Sequence, residues 1–230
     1  MSYLTQFNRW LNKEDLAADL KAELLTIKDD DEAIKIRFIK NMEFGTGGLR
    51  ATMSAGTNAM NIYTVAQASQ GLANVIIHNN GQEKGIVIGR DSRNNSEVFA
   101  RAAAEVFAAN GIKTYFFDAL RPTPVLSFAI RELGCIAGVN ITASHNPSEY
   151  NGYKAYWEDG AQLSLEDAEM VSSYINTIDI FDEVKRVDFD KAVENGDIII
   201  VGAAIDDKFI ENVTAQLIDP DAIKSVADAK

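Results

Sequence analysis

The sequence predicts an α/β layered domain, and three observations carry that prediction. Short apolar runs rich in β-branched and aromatic residues, GIVIGRD, KTYFFD and CIAGVNIT, recur along the chain. Stretches with helical spacing of apolar residues separate them, and glycine or proline marks most of the changes. Strands alternating with helices in this way build a sheet covered by helices.

Residues 1–42 read as helical. Phe7, Trp10 and Leu11 share one face, and Leu16, Leu20, Leu24 and Ile27 then repeat every three to four residues, as in helices of an N-terminal extension. The Gly-rich FGTGGLRATMSAGTN marks a boundary near residue 45. A helix follows from about 58 to 79 on Ile62, Val65, Leu72, Val75 and Ile76, with Asn58 as its cap. GIVIGRD is a short buried strand. NSEVFARAAAEVFAANG is a helix with Ser96 near its start and Gly111 just past its end, and KTYFFD is the next strand.

RPTP, at 121–124, is a rigid turn into a helix that stops at Leu133 before Gly134. The strand CIAGVNIT then delivers the chain to the loop NITASHNPSEYNGYK. NGYKAYWEDGAQL reads as strand and turn. SLEDAEMVSSYINTI is a helix with a Ser164/Asp167 capping box, and GDIIIVG is a strand. One domain closes near residue 203. Residues 204–230 begin with an amphipathic helix on Phe209, Ile210, Val213 and Leu217 and read as the start of a second, incomplete domain.

Composition narrows the function. The chain has 22 Lys and Arg against 34 Asp and Glu, a formal net charge of −12, and no basic run, which argues against a nucleic-acid partner. With one cysteine, Cys135, it can form no internal disulfide and no Cys-rich metal site. No stretch reaches the roughly 18 apolar residues of a membrane span, and the N-terminus lacks a basic-then-apolar layout, so a cytoplasmic protein is expected. Charge does not specify an oligomeric state.

Ser144 follows a strand in a Ser-His-Asn-Pro turn, where α/β proteins present reactive groups, although Ser, Asn and Pro also populate ordinary turns. A hydrolase triad is disfavoured. No G-x-S-x-G is present, and in an extended stretch the side chains of Ser144 and His145 point apart. GTGGLR is neither a P-loop nor a dinucleotide fingerprint, yet glycines beside Arg50 suit an anion. In GRDSR, Arg90, Asp91 and Arg93 either face a phosphate or pair with one another. Lys154 is a candidate proton shuttle, or a solvated surface lysine.

The three stretches FGTGGLRATMSAGTNAMN, IGRDSR and TASHNPSEYNGYKAYWEDGAQL occur together and in this order. Their combination resembles the α-D-phosphohexomutases, the phosphoglucomutase and phosphomannomutase superfamily, over roughly residues 40–165. The long N-terminal helices with FGTGGLR look most like the bacterial phosphoglucomutase branch. The resemblance implies that superfamily's first domain, a three-layer α/β/α unit with a mixed sheet. It implies that Ser144 carries a phosphoryl group, handing it to a sugar phosphate and taking one back through a hexose bisphosphate. It gives Lys154 as general acid/base, Arg50 as a contact near the phosphoserine, His145 as a polar neighbour that positions the loop, and Arg93 as a further phosphate contact.

The resemblance also implies Mg²⁺, held by the phosphate on Ser144 and three aspartates of an Asp-Gly-Asp-x-Asp motif that does not occur here, and a hexose 1,6-bisphosphate activator. The expected whole is a phosphoglucomutase interconverting glucose 1-phosphate and glucose 6-phosphate, of which this chain is an inactive N-terminal portion. Mannose, pentose or amino-sugar phosphates are alternatives, as is a non-catalytic module that binds a sugar phosphate or a protein.

Overall fold

The computed structural model describes residues 2–219, 221 and 222. Three helices open it: α1 (Tyr3–Leu11), α2 (Ala18–Thr26) and α3 (Asp31–Phe38). Ser2 and Asp30 start α1 and α3, each side-chain oxygen accepting from a first-turn backbone N–H. Their aromatic rings interlock. Phe7 and Trp10 both meet Phe38 edge-on at 5.8 Å, and Trp10 stands against Tyr63 and Phe181 at 5.5 and 5.2 Å. Arg9 donates to both oxygens of Asp179, at 2.7 and 2.5 Å. The pair holds the Asp179 carboxyl down at about 2. The N-terminal helices thus make a small core of their own, fastened to the domain.

The six strands are β1 (Leu49–Thr52), β2 (Ile86–Arg90), β3 (Thr114–Phe117), β4 (Ala137–Ile141), β5 (Tyr150–Trp157) and β6 (Ile198–Val201), in the order β1-β5-β4-β2-β3-β6. The pairs β4–β2, β2–β3 and β3–β6 are parallel, while β5 runs antiparallel to both β1 and β4. On one face lie α4 (Ile62–His78), α5 (Ser96–Ala109), α7 (Leu165–Ile175) and the short α8 (Phe189–Asn195). On the other lie α6 (Thr123–Leu133) and α9 (Ala203–Thr214). Alternation along the strands sorts the core. Ile88, Val139 and Ala155 face α4, whereas Val87 and Tyr156 face α6. This is the expected three-layer α/β/α unit with a mixed sheet, preceded by helices.

Local details differ from expectation. Helix α4 is capped by Asn61, not Asn58. Asn61 Oδ1 accepts from the backbone N–H of Tyr63 and Thr64, and Thr64 Oγ1 accepts from that of Asn61. Asn58 instead donates to the Ile36 carbonyl. At α7, Ser164 Oγ accepts from the Asp167 N–H as expected, but the Asp167 carboxylate turns to the Ser164 hydroxyl at 2.6 Å. Strand β1 lies inside the Gly-rich stretch that reads as a boundary. Gly48, at φ +79°, lets it approach β5, since a Cβ there would sit 1.9 Å from the Tyr153 oxygen.

Helix α9 is seated on this domain by its first turns. Ile205 is buried, Phe209 meets Phe128 at 5.6 Å, and Asp206 accepts from Arg121 at 2.7 Å. Ile210, Val213 and Leu217 are exposed. Residues 220 and 223–230, part of the segment expected to open a second domain, lie outside the described residues. Among the described residues no helix is long and apolar enough to cross a membrane.

Candidate functional site

The parallel strands β2, β3, β4 and β6 all end at one edge of the sheet. From β2 the chain moves one way to β3, then returns across it to β4. The crevice above the carboxyl ends of β2 and β4 is therefore the switch point, where open α/β sheets bind ligands. Two loops meet there, 91–95 after β2 and 142–149 between β4 and β5, and a polar depression is lined by Asp91, Arg93, Asn94, Ser144, Asn146 and Ser148, among others.

Ser144 stands exposed on this edge with φ +57°. The left-handed region costs an L-residue about 1–2 kcal/mol, so the surroundings must enforce it. Part of the restraint is local: the Ser144 N–H donates to Thr142 Oγ1 at 3.1 Å, and the Asn146 N–H donates to the Ala143 carbonyl across a turn at 3.1 Å. The expectation that Ser144 and His145 point apart is corrected here. It assumed extended backbone, and the left-handed turn brings Ser144 Oγ within 3.2 Å of His145 Nδ1.

The structure brings Arg50 and Arg93 against this turn. Arg50, exposed on β1, donates to Asn146 Oδ1 at 3.0 Å. Arg93 reaches over from the β2 loop, its Nη1 donating to the carbonyls of Pro147 and Tyr150 (2.9 and 3.0 Å) and its Nη2 to those of Ser144 and Asn146 (2.9 and 2.6 Å). Asp91 Oδ1 accepts from the Arg93 N–H and from Ser96 Oγ, both at 3.0 Å, and Asn151 Nδ2 donates to Ser96 Oγ, also at 3.0 Å. Mutual pairing within GRDSR is thus only partial. Arg90 turns away from Asp91, donating to the Phe117 carbonyl at 2.8 Å and pairing with Glu97 at 2.5 Å.

Lys154 lies inside β5, half-buried, in register with Asn140 of β4. Arg50 is in register with Gly152, so Arg50, Lys154 and Asn140 share the sheet face that carries α6. The glycine of NGYK has a packing reason. A Cβ at Gly152 would meet the Thr142 oxygen at 2.6 Å and the Leu49 oxygen at 3.0 Å, so only glycine lets β1 and β4 close on β5. The opposite face beneath the site is dry. Tyr153 is fully buried, bonds Ser69, and has its phenol raised by desolvation. Cys135 is also buried, its thiol pushed up to about 12 by desolvation, and it plays no part in this edge.

Sequence reasoning passed over Asn146, which links Arg50 and Arg93 to the serine turn, and Asn140. Asn140 is buried, donates to Thr123 Oγ1 at 2.9 Å, and keeps its Oδ1 without a partner. The asparagine of SHNP was a visible signal for the first. The second, within an apolar run, stood out only as a polar residue in a strand. The residues here do not suit Mg²⁺ by themselves. Among the described residues no group of three or more His, Cys, Asp and Glu could hold a metal ion, and a hard cation takes six to eight oxygens, or near-octahedral six.

The family model of phosphoglucomutase/phosphomannomutase alpha/beta/alpha domain I matches residues 41–181. The chain is 49% identical over 140 residues to a probable phosphoribomutase of Schizosaccharomyces pombe, covering 60% of this chain and 24% of that protein. It is 40% identical over 172 residues to a phosphoglucomutase of Staphylococcus saprophyticus, covering 75% and 31%. Among solved structures, a putative phosphomannomutase from Thermus thermophilus superposes with TM-score 0.65 at 24% identity, covering 77% of this chain and 36% of that one. The chain spans about a quarter to a third of the length of these curated relatives.

Proposed function

The chain belongs to the phosphoglucomutase/phosphomannomutase family and carries its domain I, and from that premise we propose that Ser144 is the phosphoryl carrier of a sugar-phosphate mutase. The observation that carries this reading is the serine turn itself. An exposed hydroxyl is held in a left-handed conformation at the switch point, with an imidazole at 3.2 Å and an arginine one asparagine away.

In this scheme the phosphoryl group on Ser144 Oγ passes in line to a free hydroxyl of a hexose monophosphate, breaking the seryl ester and forming a bisphosphate. Lys154 takes the proton from the attacking hydroxyl, and the exposed Ser144 Oγ takes up a proton from water as the ester breaks. After the sugar turns over, Ser144 Oγ attacks the sugar's other phosphate and gives up its proton to water, and Lys154 gives a proton to the sugar oxygen left behind. Arg50 offsets charge beside the phosphate. His145 sets the Ser144 rotamer by hydrogen bonding to Oγ. Mg²⁺, bound through the seryl phosphate, and a hexose 1,6-bisphosphate activator belong to the expected longer protein. The described residues do not supply a metal's ligands.

The proposed reaction interconverts glucose 1-phosphate and glucose 6-phosphate in a cytoplasmic setting, and the 230-residue chain alone is proposed to be inactive. A pentose phosphate is the second substrate reading, favoured by the 49% identity to the S. pombe protein, whose name specifies ribose. A mannose phosphate is a third. The test is a coupled mutase assay with Mg²⁺ and the matching bisphosphate, run on this chain and on the product of the complete reading frame. Glucose, ribose and mannose 1-phosphates are compared, with mass spectrometry of Ser144. Phosphate on Ser144 and turnover by the longer product are expected. A folded longer product with no phosphate on Ser144 and no turnover overturns the enzyme reading in favour of a binding module.

A further inference from the structure

We infer that Arg93 is a positioning residue for the serine turn, holding Ser144 in its left-handed conformation from behind rather than contacting a phosphate. The inference deepens the proposed function and rests on it for its consequence in turnover.

A guanidinium has five N–H groups, four of them on the terminal nitrogens. Arg93 directs its terminal nitrogens at the carbonyls of Ser144, Asn146, Pro147 and Tyr150, so the terminal donors are all engaged. Its Nε lies 3.7 Å from Asp91 Oδ2, and its side chain is only 14% exposed. Arg93 lines the depression, yet its four terminal N–H groups are already committed to backbone carbonyls.

Those four carbonyls come from one short stretch, residues 144–150. They belong to the turn and to the first residue of β5, and they converge on one point only if the chain between Ser144 and Tyr150 folds back on itself. Arg93 occupies that point. It is itself fixed from below, because Asp91 accepts from its backbone N–H, and Ser96 ties Asp91 to Asn151 at the start of β5. Removing the guanidinium leaves the carbonyls to find water, and the turn loses the bonds that oppose its left-handed cost. An oxygen displaced by about 1 Å is enough to cost about 10²-fold in rate.

The experiment compares Arg93→Ala and Arg93→Lys in the product of the complete reading frame, and follows the Ser144 backbone in the 230-residue chain. For Arg93→Ala, kcat should fall about 10²-fold, with KM for the sugar phosphate within about threefold. Guanidinium ion should restore part of the loss. Arg93→Lys should remain at least about tenfold down, because an ammonium presents its donors from one point. A raised KM with kcat retained, or both constants retained, overturns the inference. NMR couplings that report φ give a readout free of turnover: Ser144 should have positive φ in the native chain and lose it in a folded Arg93 variant. If Arg93→Ala fails to fold, Arg93→Lys decides. Positive φ kept in the variant overturns the inference. A native protein that never phosphorylates Ser144 overturns the functional reading instead, while the φ comparison still decides the role of Arg93.

Discussion

The N-terminal helical cluster and the Ser144 turn are held together in opposite ways. Around Trp10, aromatic partners from α3, α4 and the 178–182 segment interlock through large, dry, non-directional contacts that share the load. Beside Ser144 the depression is lined by polar side chains. The turn depends on directional bonds to carbonyls, one asparagine and one threonine hydroxyl. The first region supplies stability and tolerates small shifts. The second supplies geometry.

The contrast makes graded predictions. The largest effect should come from Ser144→Ala, which removes the proposed phosphoryl carrier. Mutase kcat of the complete product is expected to fall at least about 10⁴-fold, equivalent to about 5.5 kcal/mol, with the melting temperature unchanged. A clear loss of thermal stability in that variant would break the comparison. Trp10→Ala should do the reverse, costing about 3–5 kcal/mol in denaturant unfolding while Ser144 still accepts phosphate in the folded fraction. Gly152→Ala sits between the two behaviours. The new methyl meets the Thr142 and Leu49 oxygens, so about 2 kcal/mol of stability should be lost together with activity, as β1 and β4 move apart.

Smaller effects sharpen the picture of the helical cluster. Asp179 has a folded-state pKa of about 2 against the usual 3.8, so its pairing with Arg9 stabilises the fold above about pH 4 and is lost as pH falls through about 2. Asp179→Asn should cost about 1 kcal/mol at pH 7 and flatten that acid limb in urea titrations from about pH 2 to 5. Smallest of all, the Cys135 thiol, raised to about 12, should resist iodoacetamide at about pH 8 until the chain is unfolded. Prompt labelling of the native chain would contradict its burial.

How much of this was legible in the sequence follows the same division. The fully buried strands IVIGR and AGVNI announce themselves as apolar runs, and Gly134 closes its helix in the expected left-handed form. Strand β1 does not, because its pairing depends on how closely Gly48 and Gly152 let distant backbones approach, a relation with no local spacing. Ser144, Arg50 and Lys154 were visible as motif residues. Their arrangement was not. The left-handed serine and the bonding of Arg93 to carbonyls 51–57 residues away arise only when two loops meet at the sheet edge. Charged residues read as candidate ligands can serve as struts, and residue type alone does not tell the two apart.

The antiparallel course of β5 has one more consequence. Because β5 returns along β4, Ser144 and Lys154 sit on a single hairpin, one in its loop and the other at a numbered rung of its ladder, opposite Asn140. Sliding the arms by one rung would exchange Lys154 with Tyr153, sending the ammonium toward the dry layer under α4 and the phenol toward the face that carries α6. The face on which Lys154 stands relative to the Ser144 loop is therefore a digital quantity. Loop insertions that preserve the rungs should leave Lys154 on its present face, while a slip of a single residue should remove it from that face altogether.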